Sequence, residues 1–284
     1  MKKLLITGAS GFVGSKIAAH YSNRYEIYTP KHETMDIADA NSVMEYFAQI
    51  QPDYVVHCAA ISDTGRCERE PELSWKINVT GSVNIAKVSK SIGAKCVLCS
   101  SDQVYFGSDV RLPHKEDEVL VPANVYGREK VEGEKLCLTV NPESVHLRLA
   151  WMYDGRNCDY KIHRDFMSTI KEKLQNKESM AYPVYDRRGI TDVWEVVENI
   201  EKTFSLPGGV YNFGSGNGSS TYDTVKDVFD ELGLSTAWIE KNETAFADKP
   251  RNLTMDQEKI GRYGIEFQDT KAAITKRFTK LLHK

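Results

Sequence analysis

The chain has 284 residues, of which 41% are hydrophobic, so it can bury the core of one large domain or of a domain and a half. That apolar content excludes a chain that is disordered throughout. Its 37 Lys and Arg residues against 40 Asp and Glu residues give a net charge of -3, which does not support binding to nucleic acid or to an anionic membrane.

The chain begins with a predicted strand, a glycine-rich turn and a predicted helix. Leu4–Ile6 is an apolar run that suits a buried strand, and Ser15–Tyr21 has the pattern of a helix. Gly8, Gly11 and Gly14 lie between them and suit a tight turn, the approach of a phosphate and close helix–strand packing, respectively. The helix N–H groups would point at an anion, so we predict a dinucleotide-binding turn. A structural turn without a ligand is the alternative.

Strands and helices continue to alternate along the first half of the chain. In order, we predict a strand at 25–28, a helix at 40–49, a strand at 54–60, a helix at 75–92, a strand at 96–99, a helix at 124–138 and a strand at 145–149. This order predicts an α/β fold with a doubly wound parallel sheet, which binds ligands at the carboxyl ends of its strands.

The pattern is looser after Trp151. We predict helices at 165–175 and 221–232 and a strand at 208–214. We therefore expect residues 154–284 to form a smaller lobe, interleaved with the last strands of the sheet.

Apolar runs and cysteines indicate the compartment. No run approaches the roughly 18 apolar residues of a membrane helix, and the first apolar stretch ends at Gly8, too early for the core of a signal peptide. We expect a cytoplasmic protein whose six cysteines are reduced thiols. Cys96 and Cys99 are three apart on a predicted strand and would face opposite sides, so we expect neither a redox nor a zinc role for that pair. The scattered histidines predict no metal site.

A serine, a tyrosine and a lysine suggest oxidoreductase chemistry. Ser101 follows the strand at 96–99, and Tyr126 and Lys130 lie one helical turn apart on a later helix. A nearby ammonium would lower the phenol pKa from its usual value of ~10, which makes the tyrosine a proton donor or acceptor near neutral pH. A serine hydroxyl could bind the same substrate oxygen beside a nicotinamide. A half-buried tyrosine beside a solvated lysine is the alternative for this spacing taken alone.

Five segments carry distinctive motifs: TGASGFVG at 7–14, HCAA at 57–60, NVTG at 78–81, SSDQVY at 100–105 and YGREKVEGEK at 126–135. Together they resemble the extended short-chain dehydrogenase/reductases, which are NAD(P)-dependent epimerases, dehydratases and reductases of sugar nucleotides. The resemblance implies a Rossmann domain for NAD(P) over residues 1–153 and a C-terminal lobe over 154–284 that mainly binds substrate.

The resemblance also assigns site residues. Ser101, Tyr126 and Lys130 would form the catalytic trio. Besides Tyr126 and Lys130, the cofactor would be bound by Gly8, Ser10, Gly11, Phe12, Val13, Gly14, Lys31, Asp36, Ile37, Cys58, Ala59 and Ala60. Substrate would be bound by Asp102, Trp151 and Arg251, although Asp102 as the cap of a loop is an equal alternative.

Within that superfamily, segments such as Leu147–Tyr153 and Lys249–Asp256 are most similar to the dTDP-4-dehydrorhamnose reductases. That similarity implies NAD(P)H-dependent reduction of a nucleotide-linked 4-keto-6-deoxy sugar in dTDP-rhamnose biosynthesis. Phe12 and Val13 stand where these reductases usually have Gln-Leu, and Thr191–Val193 is closer to the epimerases. A sugar-nucleotide epimerase with tightly bound NAD therefore stays open, as does a non-catalytic NADP-binding subunit like the regulatory subunit of methionine adenosyltransferase. Gln103 cannot act as a base, which argues against a dehydratase.

The cofactor is expected to be NADP(H) or NAD(H). An acidic residue after the second strand usually holds the ribose 2′-OH of NAD, whereas a cation accommodates the 2′-phosphate of NADP. Lys31 and His32 favour NADP(H), Glu33 favours NAD(H), and a solvated loop charge is an equal explanation for Lys31. We lean towards NADP(H). The expected partner is a nucleotide-sugar substrate, not nucleic acid or a membrane, and a homodimer is a candidate assembly.

Overall fold

A computed structural model describes residues 1–156 and 165–282 of the chain. Its strands are β1 Lys3–Thr7, β2 Glu26–Tyr28, β3 Tyr54–His57, β4 Lys95–Ser101, β5 Val145–Leu149, β6 Trp151–Tyr153, β7 Met180–Pro183, β8 Asp186–Arg188, β9 Ile190–Asp192, β10 Gly209–Phe213, β11 Ile239–Asn242 and β12 Arg251–Leu253. Its α-helices are α1 Phe12–Tyr21, α2 Ala40–Ile50, α3 Thr64–Arg69, α4 Pro71–Trp75, α5 Ser82–Ser91, α6 Val125–Val140, α7 Phe166–Asn176, α8 Val193–Thr203, α9 Thr221–Glu231, α10 Glu258–Gly261 and α11 Thr270–Leu282.

The chain divides into two compact units, and each is built from three separate segments. The first unit comprises Met1–Val104, Val119–Leu149 and Val197–Tyr211. The second comprises Tyr105–Glu118, Ala150–Val196 and Asn212–Lys284. The chain thus leaves and re-enters each unit.

A six-stranded sheet, in the order β10-β5-β4-β3-β1-β2, organises the first unit. The pairs among β1 to β5 are parallel, and the sheet as a whole has the Rossmann-like, doubly wound α/β form. Leu4, Leu5 and Ile6 of β1 are fully buried, as expected for a strand covered on both faces. The chain order reverses at β1, since β2 lies on one side of it and β3 on the other. Open α/β sheets bind ligands at such a switch point, here between the carboxyl ends of β1 and β3.

The helix predicted at 75–92 is interrupted in the structure. Helix α4 ends at Trp75, a π-helical turn follows over Lys76–Gly81, and α5 begins at Ser82. The apolar spacing passes through the wider turn with little change, so the sequence pattern does not reveal it. This turn carries Asn78, whose side chain accepts from the N–H of Ile61 at 2.8 Å. Short π-helical turns are frequent at functional sites, and this one positions the side chain of Asn78.

The second unit has a separate hydrophobic core and three small parallel ladders: β6 with β9, β7 with β11, and β8 with β12. Its core includes Tyr153, Phe166, Phe229 and Phe278, contributed by β6, α7, α9 and α11. All six of these strands have only three or four residues, too few for a clear alternation in the sequence. Among the helices of the described ranges, none is long and apolar enough to cross a membrane.

Two buried histidines of the first unit make its stability depend on pH. His57 lies between the hydroxyls of Thr7 (2.7 Å) and Ser82 (3.1 Å). Burial lowers the pKa of His57 to about 3 and the pKa of His146 to about 4. Both rings are neutral when folded, whereas the unfolded chain protonates them near pH ~6.5. The stability they confer is therefore complete above about pH 6.5 and is lost as the pH falls towards 4.

We therefore expect the free energy of unfolding in urea to be lower at about pH 5 than at about pH 7. His57→Gln should reduce that difference, because one of the two titrating rings is gone. If the free energy of unfolding changed equally with pH in the wild type and in the variant, His57 would not contribute to the pH dependence.

Candidate active site

Close backbone contacts shape the glycine-rich turn after β1. Gly8 has a φ of 67°, a left-handed conformation that favours glycine, and its carbonyl accepts from the N–H of Gly11 at 2.9 Å. A Cβ on Gly14 would lie 2.5 Å from the same carbonyl oxygen, closer than side chains approach. The turn is therefore a cradle that side chains would fill, and it fits the diphosphate of a dinucleotide.

Helix α1 begins directly at this cradle. Its N-cap, Gly11, provides no side-chain cap, and its first turn contains no acidic residue. Ser10 is exposed, and Phe12 and Val13 are partly exposed. An uncapped helix N-terminus favours a bound anion. The partial positive charge of the helix end and the shape of the turn therefore both favour a bound diphosphate.

The end of β3 packs against the turn. A Cβ on Gly8 would lie 2.6 Å from the backbone nitrogen of Ala59 and 2.8 Å from the carbonyl carbon of Cys58. The N–H of Ala59 donates to the hydroxyl of Thr7 at 3.3 Å. Ala59 and Ala60 are partly exposed, as is Cys58. The structure thus brings the predicted segment 58–60 to the glycine turn, at the switch point of the sheet.

The remaining residues predicted to bind the cofactor lie in the loop after β2. Asp36 is half-buried and accepts from the N–H of Ala38 at 2.9 Å. Ile37 is buried and packs so closely on Gly81 that a Cβ there would lie 2.9 Å from it. Lys31 is exposed. Contacts of these three residues with adenine or ribose stay predictions.

Ser101, Tyr126 and Lys130 come together at the carboxyl end of β4. Ser101 is the last residue of that strand, and its hydroxyl lies close enough to the phenol of Tyr126 to lower the pKa of that phenol. Lys130 Nζ lies 5.5 Å from the centre of the Tyr126 ring and donates to the carbonyl of Cys99 at 2.9 Å. Tyr126 and Lys130 are each 7% exposed. Three residues that the spacing predicted to act together are therefore neighbours in the structure.

The start of α6 is fastened to the loop after β4. Asn124 caps the helix by accepting from the N–H of Gly127 at 2.6 Å, and its amide donates to Gln103 at 3.0 Å. A Cβ on Gly127 would collide with the carbonyl of Gln103, so glycine allows helix and loop to touch. Asp102 is buried beside them and accepts from Ser101 at 3.3 Å. These contacts hold Tyr126 opposite Ser101.

The structure corrects the expected direction of the tyrosine pKa. We expected Lys130 to lower the pKa of Tyr126, but burial raises it, and the Asp102 carboxylate raises it further. The nearby Ser101 hydroxyl acts in the opposite direction and offsets part of this rise in the pKa. Burial lowers the pKa of Lys130. The negative charges of Glu134 and Glu129 raise it, but their effect is smaller. Tyr126 is consequently a phenol that keeps its proton at neutral pH, the state that a proton donor needs.

This direction can be measured in the protein without cofactor. The phenolate absorbance of the wild type minus that of Tyr126→Phe should show no titration below about pH 10, because the raised pKa keeps the phenol protonated. A difference signal that titrates near neutral pH would contradict the conclusion that burial determines the pKa of Tyr126.

Two residues predicted to bind substrate belong to the second unit. Trp151 is 36% exposed, with the guanidinium of Arg188 4.9 Å from its ring. Arg251 forms a two-pronged ion pair with Asp186 at 2.8 and 3.0 Å and lies 4.0 Å from the ring of Phe246.

Arg251 also lines a cavity of about 590 Å³ within this unit. Its charged lining residues are four basic and two acidic ones: Arg111, Arg187, Lys249, Arg251, Asp109 and Asp248. The excess of positive charge favours an anionic ligand. Across residues 1–156 and 165–282, no group of three or more His, Cys, Asp and Glu side chains is placed to hold a metal ion.

Comparison with known proteins identifies the family. The family model described as "RmlD substrate binding domain" matches residues 1–282. The chain is also 31% identical over 270 residues to the spore coat polysaccharide biosynthesis protein SpsK of Bacillus subtilis, covering 93% of each protein. The chain belongs to the RmlD substrate-binding domain family.

More distant relatives have different names. The chain is 26% identical to dTDP-4-dehydrorhamnose reductase of Aggregatibacter actinomycetemcomitans, covering 96% of this chain and 97% of that one. It is equally 26% identical to methionine adenosyltransferase 2 subunit beta of Pongo abelii, covering 93% and 83%. The crystal structure of dTDP-4-dehydrorhamnose reductase from Bacillus anthracis in complex with NADP shares the fold, with a TM-score of 0.84, 23% identity and 99% of each chain covered.

The matched family is the one whose dTDP-4-dehydrorhamnose reductases the sequence motifs resemble. The resemblance seen in the sequence motifs is thereby confirmed. The roles of the individual residues remain those that the sequence predicts.

Sequence analysis missed two buried carboxylates that flank Lys130 on α6. Glu129 accepts from the amide of Asn78 at 2.7 Å, and Glu134 pairs with Arg148 at 2.7 Å and accepts from Ser100 at 2.6 Å. Their partners lie on the π-helical turn and on β4 and β5, far away in the chain. The only local signal is that Glu134 lies one helical turn after Lys130, on the same face.

Proposed function

We propose that this protein reduces a nucleotide-linked 4-keto-6-deoxy sugar at C4 with NADPH or NADH, as a dTDP-4-dehydrorhamnose reductase does. The observation that carries the proposal is the meeting of Ser101, Tyr126 and Lys130 at the end of β4. The glycine cradle at the neighbouring switch point supports it, because a nicotinamide dinucleotide fits there.

The roles follow from the chemistry of each side chain. The bound cofactor supplies the hydride. Ser101 would orient the carbonyl oxygen, and Tyr126, protonated at neutral pH, would donate the proton that this oxygen gains. Lys130 would hold the ribose and balance the charge of a phenolate after the transfer. The carbonyl of Cys99 already fixes Lys130 Nζ at 2.9 Å, so the ammonium is aimed before any ligand arrives.

The second unit would bind the sugar nucleotide. Its positively charged cavity suits a diphosphate, and Arg187 and Arg251 are guanidinium groups on that lining. Trp151 offers a partly exposed ring for a sugar face. Residues 1–153 would therefore bind mainly the cofactor, and residues 154–284 would bind mainly the substrate. Lys31, in the first of these segments, favours NADP(H) over NAD(H).

Two alternatives have less support. An epimerase that retains NAD would show no net oxidation of added NADPH. A non-catalytic subunit, as the similarity to methionine adenosyltransferase 2 subunit beta allows, would bind dinucleotide without turnover. The intact trio is the reason to prefer catalysis, because a binding subunit needs no proton donor.

The direct assay follows loss of nicotinamide absorbance with dTDP-4-keto-6-deoxy sugars and with other nucleotide keto sugars. We expect turnover with NADPH and at least one of these sugars. No net oxidation of NADPH or NADH with any sugar of the panel would remove the reductase proposal, and binding without turnover would favour the regulatory subunit.

Arg251→Lys should raise the KM for the sugar nucleotide about tenfold and leave kcat nearly unchanged. Lysine keeps the charge but cannot form the two-pronged pair with Asp186 that holds the side chain on the cavity lining. Arg262→Lys is a matched control, since Arg262 pairs with Glu258 on an exposed helix face. The prediction fails if KM is the same in both variants, or if Arg251→Lys lowers kcat alone.

A further inference from the structure

Two cysteines meet at the centre of the cofactor-binding unit. His57 of β3 pairs with Leu98 of β4, so the next residues, Cys58 and Cys99, lie opposite each other on neighbouring parallel strands. Their sulfur atoms are 3.5 Å apart. Both residues are partly exposed, whereas the free cysteines 67, 96 and 137 are buried. Cys58 and Cys99 thus form a pair of neighbouring thiols whose residues are less buried than those of cysteines 67, 96 and 137.

The geometry allows a covalent bond between them. Opposite residues on adjacent strands are separated by about 4.8 Å, which is within the Cα separation of about 4.4–6.8 Å found for disulfides. A disulfide bond is about 2.05 Å long, so the sulfur atoms would need to move together by roughly 1.5 Å. Rotation of the two side chains, with a small adjustment of the strands, covers such a distance.

The charges around the pair favour a reactive thiol. The S–H of Cys58 and the nearby ammonium of Lys130 lower the pKa of Cys99, against the effect of burial. The pKa of Cys58 is raised, chiefly by its hydrogen bond with Cys99 and by burial. A thiolate beside a cation is the attacking form in sulfur chemistry, which makes Cys99 the nucleophile and Cys58 the thiol that resolves the product.

We propose that Cys58 and Cys99 are a redox modification site, in which a peroxide converts the two thiols into a reversible disulfide that weakens dinucleotide binding.

The reaction balances in two steps. The Cys99 thiolate attacks one peroxide oxygen, the O–O bond breaks, and the departing hydroxide takes a proton to become water, which leaves a sulfenic acid on Cys99. Cys58 then attacks the Cys99 sulfur, the S–S bond forms, and the S–O bond breaks. The second hydroxide takes the thiol proton and leaves as water. In all, the two thiols lose two electrons and two protons, and peroxide is reduced to two waters.

The location explains why this bond would affect the cofactor. The backbone of Cys58 lies against Gly8, where a Cβ would be 2.8 Å from its carbonyl carbon, and the carbonyl of Cys99 holds Lys130. A disulfide would therefore pull together the strand behind the phosphate cradle and the strand that carries Ser101. Neither strand can shift without moving groups proposed to contact the dinucleotide. Any effect on turnover or on dinucleotide binding rests on the proposed function, whereas formation of the disulfide does not.

The test treats the purified full chain with hydrogen peroxide and then removes the excess oxidant. We expect the intact mass to fall by about 2 Da and peptide mapping to find Cys58 linked to Cys99. The Kd for NADPH, measured by fluorescence titration, should rise about tenfold and return to its starting value after a dithiol reductant. Each variant is compared with its own untreated sample.

Cys99→Ser should remove both the linked peptide and the peroxide-induced change in Kd. Cys96→Ser, on the same strand but buried, should keep both, which shows that the response belongs to this pair. The proposal is overturned if peroxide links other cysteines, leaves only single oxidised cysteines, or forms the 58–99 bond with no change in the Kd for NADPH.

Discussion

Replacing Tyr126 with phenylalanine should lower kcat for sugar reduction by about 10²- to 10⁴-fold, the usual contribution of a positioned general acid. The change removes one hydroxyl and keeps the ring, so Lys130 keeps the ring contact at 5.5 Å and its bond to Cys99. We expect the Kd for NADPH to change little, because the lost group acts on the substrate oxygen. Steady-state kinetics and a dinucleotide titration on the same preparation separate the two effects.

Tyr211→Phe is the matched control for this experiment. Tyr211 is also buried in the first unit, and its hydroxyl donates to the carbonyl of Pro207 at 2.9 Å. Its loss should cost about 1 kcal/mol of stability and leave kcat near the wild-type value. If the two variants had similar kcat values, Tyr126 would not be the proton donor.

Gly14→Ala should abolish dinucleotide binding at accessible concentrations and lower the melting temperature. The added Cβ would lie 2.5 Å from the carbonyl oxygen of Gly8 and 2.9 Å from its carbonyl carbon, so helix α1 must move away from the turn. That displacement opens the cradle and turns the helix N-terminus away from the diphosphate. Calorimetric titration with NADPH and thermal unfolding measure the two losses.

Gly133→Ala is the corresponding control, because Gly133 is also helical and buried. A Cβ there would meet the carbonyl of Asn78 at 3.5 Å, an ordinary contact. Alanine is favoured over glycine inside a helix by up to about 1 kcal/mol, so this variant should be at least as stable as the wild type and bind NADPH normally. Wild-type affinity in Gly14→Ala would disprove the close-approach argument.

Local spacing explains why much of the candidate site could be predicted from the sequence. Gly8, Gly11 and Gly14 lie at one turn, so their spacing alone indicates its backbone conformation. Tyr126 and Lys130 share a helix face because they lie four residues apart. The alternation of strands and helices predicted the parallel sheet, and with it the edge at which Ser101 would lie. Such features depend on neighbours in the chain, which a single sequence shows.

Other features depend on packing between distant segments. The C-x-x-C pattern drew attention to Cys96, but strand register pairs Cys99 with Cys58 instead. The pKa of Tyr126 is decided by burial, which no spacing reveals. The ion pair of Arg251 with Asp186 joins two short strands with little periodicity of their own. These facts require the tertiary structure.

The most direct measurement of the central claim uses NADPH and NADH deuterated at nicotinamide C4, in separate reactions for each face of the ring, with a dTDP-4-keto-6-deoxy sugar. If this protein is a reductase, one face should deliver its deuterium to C4 of the sugar, detected by mass spectrometry and proton NMR, with one cofactor oxidised for each product formed. Unlabelled product, or an altered sugar without net oxidation of the cofactor, would contradict the account.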